Sequence, residues 1–385
     1  MGLPPYNPYQ FVPFPTQVPR APLRATGGHD REGARGLFSG KLVCQLNLLT
    51  PVLVIARDGQ KPTKLPASSL RGMLRAVAEI AGRGCGSSIG KDGLDWVDKK
   101  SSEEFRTSGA RFPNATEHVS CCEYGGNPAI LARFENEKGS RSLDWSKMVL
   151  CSPCAMFGFA HKQACWRGRI RGSDGILLRG EFRLPQLPEG DTLRMDSPHP
   201  HHLSHYFQPP WHWPVEGSYE YEGGVMLGRK VYRNSRQQRR LDVANLWEAP
   251  GPPGQSAVFQ FDVRYQNLTP SELGLLLFVL DLKRGASRLA HRYGYGKPAG
   301  YGSVWISPPV VVVETPNRYR SYDAPPTARL QETPDQIKDR FFRERPAADT
   351  DWQAFERWLA GPPLDPRFRY PTREEMREER LKEDS

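Results

Sequence analysis

The sequence predicts an α+β chain in the ferredoxin-like, or RRM-like, order βαββαβ, opened by two long insertions. Three observations carry this. Two amphipathic strands, residues 37–55 and 257–268, each lead into a helical pattern, residues 65–82 and 269–282. Each helix is followed, at a distance, by a further strand-like run, residues 175–184 and 303–314. Finally, 36 glycines and 36 prolines among 385 residues are too many for a helical bundle and suit a β-rich fold with long loops.

Taken in order, residues 1–36 read as an extended arm. Pro4, Pro5, Pro8, Pro13, Pro15, Pro19 and Pro22 exclude a helix or a central strand. Tyr6, Tyr9, Phe11 and Phe14 are apolar anchors for a surface on the same domain or on a neighbouring subunit. The domain proper spans 37–314. In its first strand Phe38, Leu42, Cys44 and Leu46 loosely alternate, and Pro51 marks a bend. The first helix buries Leu70, Met73, Leu74, Val77 and Ile80, with Ser68 or Ser69 as cap and Gly82 as stop. Thr269-Pro-Ser-Glu272 is a capping box that starts the second helix, with proline at its first position. Residues 310–313 are four consecutive valines, as in a buried strand. Residues 315–385 form a charged C-terminal extension, with Trp352, Phe355 and Trp358 on one short amphipathic helix.

The strongest chemical signal is Cys151-Ser-Pro-Cys154. Two thiolates two residues apart on a turn can face one tetrahedral metal ion. His118-Val-Ser-Cys121 offers a second pair, so that His118, Cys121, Cys151 and Cys154 make a Cys₃His site, with Cys122, His161 and Cys165 as substitutes for the fourth ligand. Such a closed set predicts structural zinc, stapling a loop-rich insertion at 84–165. Seven cysteines, four of them in two close pairs, favour a reduced, cytoplasmic protein over a disulfide framework. A second insertion, 185–254, carries His199, His201, His202, His205 and His212 among prolines, which reads as a partner-facing loop before a metal site. No apolar run approaches the roughly 18 residues that span a bilayer, and the N-terminal stretch lacks the pattern of a secretory signal.

The net charge of +10 is clustered. Residues 223–240 carry Arg229, Lys230, Arg233, Arg236, Arg239 and Arg240 with no acid. Residues 283–301 carry Lys283, Arg284, Arg288, Arg292 and Lys297, again with no acid, and 162–172 add Lys162, Arg167, Arg169 and Arg171. Runs of this kind point to an acidic partner, nucleic acid first. Inside the second run lies Tyr293-Gly-Tyr-Gly-Lys-Pro-Ala-Gly-Tyr-Gly302, whose glycines admit either a tight turn or the close approach of a phosphate. Ser68, Ser69 and Arg71 at a helix start are a second candidate anion site, and Gly72 there is more than capping needs.

Five stretches in this order, YNPYQFVPF at 6–14, LPASSLRGMLR at 65–75, CSPCAMFGF at 151–159, LGRKVYR at 227–233 and GYGKPAGYGSVWI at 294–306, carry a resemblance. The chain resembles the RAMP superfamily of CRISPR-associated proteins, in particular the backbone subunits of type III effector complexes. The resemblance implies a RAMP core that binds CRISPR RNA along its sugar–phosphate backbone, pairs it with a target RNA and stacks with other CRISPR effector subunits. It implies no membrane. It assigns Ser68, Ser69, Arg71 and Arg75 to guide phosphates, and Gly296, Lys297, Gly300 and Gly302 to the family's glycine loop. The 185–254 insertion becomes a wedge into the duplex, with Arg229, Lys230 and Arg233 near RNA. Some members cleave target RNA with an aspartate after the first strand and a divalent metal such as Mg²⁺. Asp58 is the one acid in that loop, which is short and lacks the family's longer glycine-bearing segment. Two other readings stay open: a CRISPR RNA-processing endonuclease with His29 or His291 as general base, and a zinc-stapled adaptor that touches no RNA.

Overall fold

The computed structural model describes residues 9–13, 18–22, 36–56, 58–84, 123–124, 127–128, 148–160, 165–189, 192–193, 207–208, 225–226, 228–235, 238–252, 254–284, 287–314, 327–328, 330–344, 356 and 359. The elements that build the framework are β1 (Tyr9–Val12), β2 (Phe38–Leu48), β3 (Val52–Ile55), β4 (Lys64–Leu65), α1 (Ala67–Ala81), α2 (Ser152–Phe157), β5 (Ile170–Gly172) and β6 (Gly175–Arg179). They continue with β7 (Arg229–Tyr232), β8 (Leu246–Ala249), β9 (Val258–Leu268), α3 (Pro270–Asp281), β10 (His291–Arg292), β11 (Ser303–Ile306), β12 (Val310–Glu314) and α4 (Pro334–Glu344).

The main sheet runs in the order β10-β11-β2-β9-β6-β4, with β5 also on β9, and every neighbouring pair is antiparallel. In chain terms the fourth framework strand lies beside the first, then the third, then the second. This is the spatial order expected of a split βαβ arrangement. The register puts Leu42, Cys44, Leu46, Phe259, Phe261 and Val263 on one face, where they join Leu74 and Val77 of α1 and Leu276 and Leu280 of α3 in a single core. The period-2 alternation of β2 and β9 dictates that outcome, since every second side chain must leave water together.

The helix starts differ in how they are capped. Thr269 Oγ1 accepts from the Glu272 N–H at 3.1 Å and Glu272 Oε2 accepts from the Thr269 N–H at 2.9 Å, so the predicted box forms. At α1 the expected serine cap does not form. Pro66 occupies the cap position, and Asp174 Oδ1 accepts from the Ala67 N–H at 2.8 Å instead. That leaves the Ser68 and Ser69 side chains exposed.

Residues 303–314 pair along one side of β2, interrupted at Ser307–Pro309. The expectation of a buried valine strand is corrected here. Val310 is 64% exposed and Val313 alone of the four is buried, because β12 lies at the margin of the sheet, beside Thr327–Ala328. The C-terminal extension adds a helix that the sequence reading did not include. α3 is apolar almost all round, from Leu273 to Leu280, and needs cover on two sides. The sheet covers one side and α4 the other, through buried Ile337 and Phe341 and a Phe342–Phe278 ring contact at 5.0 Å. Gly274 allows this approach, since a Cβ there would stand 2.5 Å from the Ile337 carbonyl oxygen. Lys338 closes the interface on Asp281 at 2.6 Å. The signal for α4 was present in Thr333-Pro-Asp-Gln336, a second capping box: Thr333 Oγ1 accepts from the Gln336 N–H at 3.3 Å and Gln336 Oε1 from the Thr333 N–H at 2.8 Å. The helix expected around Trp352, Phe355 and Trp358 lies outside the described residues.

The described parts of the N-terminal arm rest on their own domain: β1 pairs with β7, and Arg20–Pro22 pairs with Met148–Cys151. No helix among the described residues is long and apolar enough to cross a membrane.

Candidate functional site

A groove of about 780 Å³ opens between the exposed face of α1, the end of β3, the glycine loop and β7. The helical repeat explains the first wall. Leu70, Met73, Leu74 and Val77 turn to the core, so Ser68, Ser69, Gly72 and Ala76 are left on the outside, all small. Gly72 matters by its lack of a side chain: a Cβ added there meets nothing within 4 Å.

The glycine loop forms the opposite wall. Tyr293 N–H donates to the Gly302 carbonyl at 2.7 Å, Tyr295 N–H to Leu53 at 2.9 Å, and Gly302 N–H to Pro51 at 2.8 Å. A short 3₁₀ turn, Lys297–Ala299, sits between left-handed Gly296 and Gly300. Gly294 and Gly302 both have φ +81°, and added Cβ atoms would stand 2.6 Å from the Leu53 oxygen and 1.8 Å from the Tyr293 oxygen. The glycines therefore serve to pin the loop to the bend at Pro51. What the loop presents to the groove is Tyr293, Gly294, Tyr295 and Lys297; Gly296, Gly300 and Gly302 shape the turn behind them. The Tyr293 hydroxyl is hydrogen-bonded to Ser69, joining the two walls, and burial pushes its pKa up.

The third wall is β7. Lys230 Nζ lies 4.0 Å from the ring centroid of Tyr9 and 5.4 Å from that of Tyr232, so β1 of the arm fixes this cation at the groove. Burial lowers the Lys230 pKa. The floor is completed by Arg292 and by Leu359, whose carbonyl accepts from the Ala290 N–H at 2.5 Å.

Of the residues assigned by sequence, the structure brings Ser68, Ser69, Lys230 and Lys297 together in one groove. Others face the protein. Arg71 donates to the Phe157 carbonyl, and Arg75 donates to the Gly158 carbonyl at 2.7 Å and to Glu79 at 2.7 Å. Arg229 also pairs with Glu79, which is 1% exposed and needs cations around it. These three arginines brace α1 against the turn after α2 and against β7. Arg233 is half-buried and is not a groove-lining residue. Arg169, from the third basic run, is also internal: it forms a two-point pair with Glu272 and donates to the Asn267 carbonyl at 2.9 Å. Sequence reasoning missed the groove positions of Arg292, Tyr232 and Leu359. The sequence reading counts Arg292 only as one cation of the second basic run, without a place of its own.

Asp58 is exposed, outside the groove, and its Oδ1 accepts from the Gln60 N–H at 3.1 Å. No group of three or more His, Cys, Asp or Glu side chains that could hold a metal ion occurs among the described residues. For zinc, Cys151 and Cys154 are both fully buried at the start of α2 and form no disulfide. They suit a thiolate pair, while His118, Cys121, Cys122 and His161 lie outside the described residues, as does the side chain of Cys165. The histidine loop at 199–212 falls almost wholly outside them too.

The histidine-base reading is corrected for His291. The ring is 0% exposed, its Nε2 lies 3.3 Å from the Leu280 carbonyl oxygen, and burial pushes its pKa down to about 4. A general base must reach substrate, and this one is sealed between β10 and α3. His29 lies outside the described residues.

The sequence profile of the RAMP superfamily matches residues 45–305. The chain belongs to the RAMP superfamily. Among solved structures it is similar to the crystal structure of Thermofilum pendens Csc2, with 12% identity, 87% of this chain and 80% of that chain covered, and a TM-score of 0.31. It is also similar to a chain of a Type IV-B CRISPR complex, with 14% identity, 78% of this chain and 98% of that chain covered, and a TM-score of 0.30. No curated protein matches the chain.

Proposed function

We propose that this protein is a CRISPR RNA-binding backbone subunit of a type III effector ribonucleoprotein. It holds guide RNA in the groove, pairs it there with target RNA and stacks against other CRISPR subunits in the cytoplasm. The observation that carries this reading is the groove itself. In a RAMP chain it gathers two serines, two lysines and an arginine with Tyr232, Tyr293 and Tyr295, a set suited to a sugar–phosphate backbone. Pairing supplies sequence specificity, so the protein needs no base-reading side chains.

The test is a titration with single-stranded RNA at several salt concentrations. Lys230→Ala and Lys297→Ala each weaken binding and each lower the slope of log K against log salt by about 0.7, the value for one lost phosphate contact on a single strand. Equal slopes in wild type and both variants would remove the groove from RNA binding.

Target cleavage, if this subunit performs it, rests on Asp58. In the assembled complex Asp58→Ala leaves guide binding intact. Loss of regularly spaced Mg²⁺-dependent cuts in that variant assigns the chemistry to this subunit, and unchanged cutting assigns it to another. Zinc, held by Cys151 and Cys154 with His118 and Cys121, would serve a structural role in ordering the 84–165 insertion. Metal analysis of the full chain is expected to give one zinc per chain, lost in Cys154→Ser.

A further inference from the structure

We propose that the outer face of the main sheet is a second nucleic-acid contact, on which Lys41, Arg264 and Arg171 hold the phosphate backbone of an RNA laid across the strands. The proposal goes beyond the groove reading and does not depend on it. This face is turned away from α1 and α3, whereas the groove follows the outer side of α1.

The alternation of the strands fixes the directions. Leu42, Val263 and Ile170 point into the core, so Lys41, Arg264 and Arg171 point away from it. The register then sets the three in one row. Lys41 of β2 stands opposite Arg264 of β9, and Arg171 of β5 stands opposite Arg264 on the other side. With neighbouring strands about 4.8 Å apart, the row spans about 10 Å. Of the three, only Arg171 belongs to a basic run of the sequence; folding brings the other two beside it.

Like charges directly opposite each other destabilise a strand pair. Two such contacts meet here at Arg264, and little compensates them. Asp262, on the same face, is taken up by Lys41 at 3.2 Å. Arg264 and Arg171 are exposed, and neither pairs with a carboxylate among the described residues. A polyanion crossing the row relieves the repulsion, and the planar fork of arginine matches phosphate oxygens.

The surroundings favour nucleic acid over an acidic protein segment. A protein interface has an apolar centre and a polar rim. This face has the reverse. The exposed apolar residues Val310 and Ile176 lie on the flanking strands β12 and β6. Val43 apart, the middle of the face is charged or carries the amides of Gln45 and Gln260, which stand opposite each other.

The test uses the full chain with a single-stranded RNA and a duplex RNA of equal length, each titrated at several salt concentrations. In Arg171→Gln/Arg264→Gln the slope of log K against log salt for the single strand is expected to fall by about 1.4, two phosphate contacts at about 0.7 each. Both side chains are exposed and repel each other, so the urea midpoint is expected to stay at or above that of wild type. If the double variant does not fold, each single variant is expected to lose about 0.7. A drop in the duplex arm alone also supports the face and makes its ligand a duplex. Unchanged slopes in both arms overturn the proposal. So does binding of poly-glutamate that the double variant loses while RNA binding is untouched, which makes the face a site for acidic protein. Lys230→Ala and Lys297→Ala separate the two sites. A drop in those variants and none in the double variant refutes the face and leaves the groove; the converse refutes the groove and leaves the face.

Discussion

Gly72→Phe weakens RNA binding by about two orders of magnitude while the fold survives. The position is on the open side of α1, and a Cβ there meets no atom within 4 Å. A phenyl ring has room only in the groove, between Ser68 and Ser69 on its own helix and Lys230 and Lys297 opposite. Affinity is expected to fall by on the order of 100-fold, about 3 kcal/mol, because the ring excludes the backbone from several contacts at once. Gly72→Ala is the matched control. It leaves the groove passable and stabilises the helix by about 0.5–1 kcal/mol, because glycine is the weaker helix former. The measurement is a pair of curves for each variant, denaturant unfolding and RNA titration. A Gly72→Phe protein that folds and binds RNA like wild type places the RNA elsewhere.

Gly302→Ala has the opposite signature: it costs the fold. The residue holds φ +81° with the Tyr293 oxygen where a Cβ would be, at 1.8 Å, and its N–H bonds the Pro51 carbonyl. The left-handed conformation alone costs about 1–2 kcal/mol for an L-residue, and the clash forces apart the β10–β11 connection that carries Lys297. A total loss on the order of 4 kcal/mol is expected in urea unfolding. Gly36 has φ +76° with nothing within 4 Å of its Cβ position. Gly36→Asn is therefore expected to stay within about 1 kcal/mol, since asparagine tolerates that region. A difference of this size between two positive-φ glycines separates backbone conformation from close approach. It also shows that the loop's glycines serve the turn.

The parts of this architecture that depend on near neighbours could be read in the chain. The alternation in 257–268, the capping box at Thr269 and the bend at Pro51 are local patterns, and each appears where local physics puts it. The same rule would have found α4 from Thr333-Pro-Asp-Gln336; a charged composition obscured it. What misled was charge. Arg169 and Arg229 look like their neighbours in a basic run, and Arg71 and Arg75 look like free cations at a helix start, yet each is engaged by a carbonyl or carboxylate from a distant part of the chain. No one-dimensional pattern reveals whether Glu79 or a phosphate is the partner of an arginine, because that depends on which elements pack together.

Sequence alone determined the α+β class, the order of strands and helices, the family resemblance and the two walls that carry Ser68, Ser69 and Lys297. The class and the order follow from periodicity, capping and composition, which act over a few residues; the resemblance rests on five motifs in one order. Only the tertiary structure decided that Lys230 is held by Tyr9 of the arm, that Asp174 and not a serine caps α1, and that His291 is sealed in the core. Leu359, far beyond the profile match, reaches the groove for the same reason. Each of these is a contact between segments far apart in the chain, and its partner is chosen by the packing of the sheet and helices around a shared apolar core.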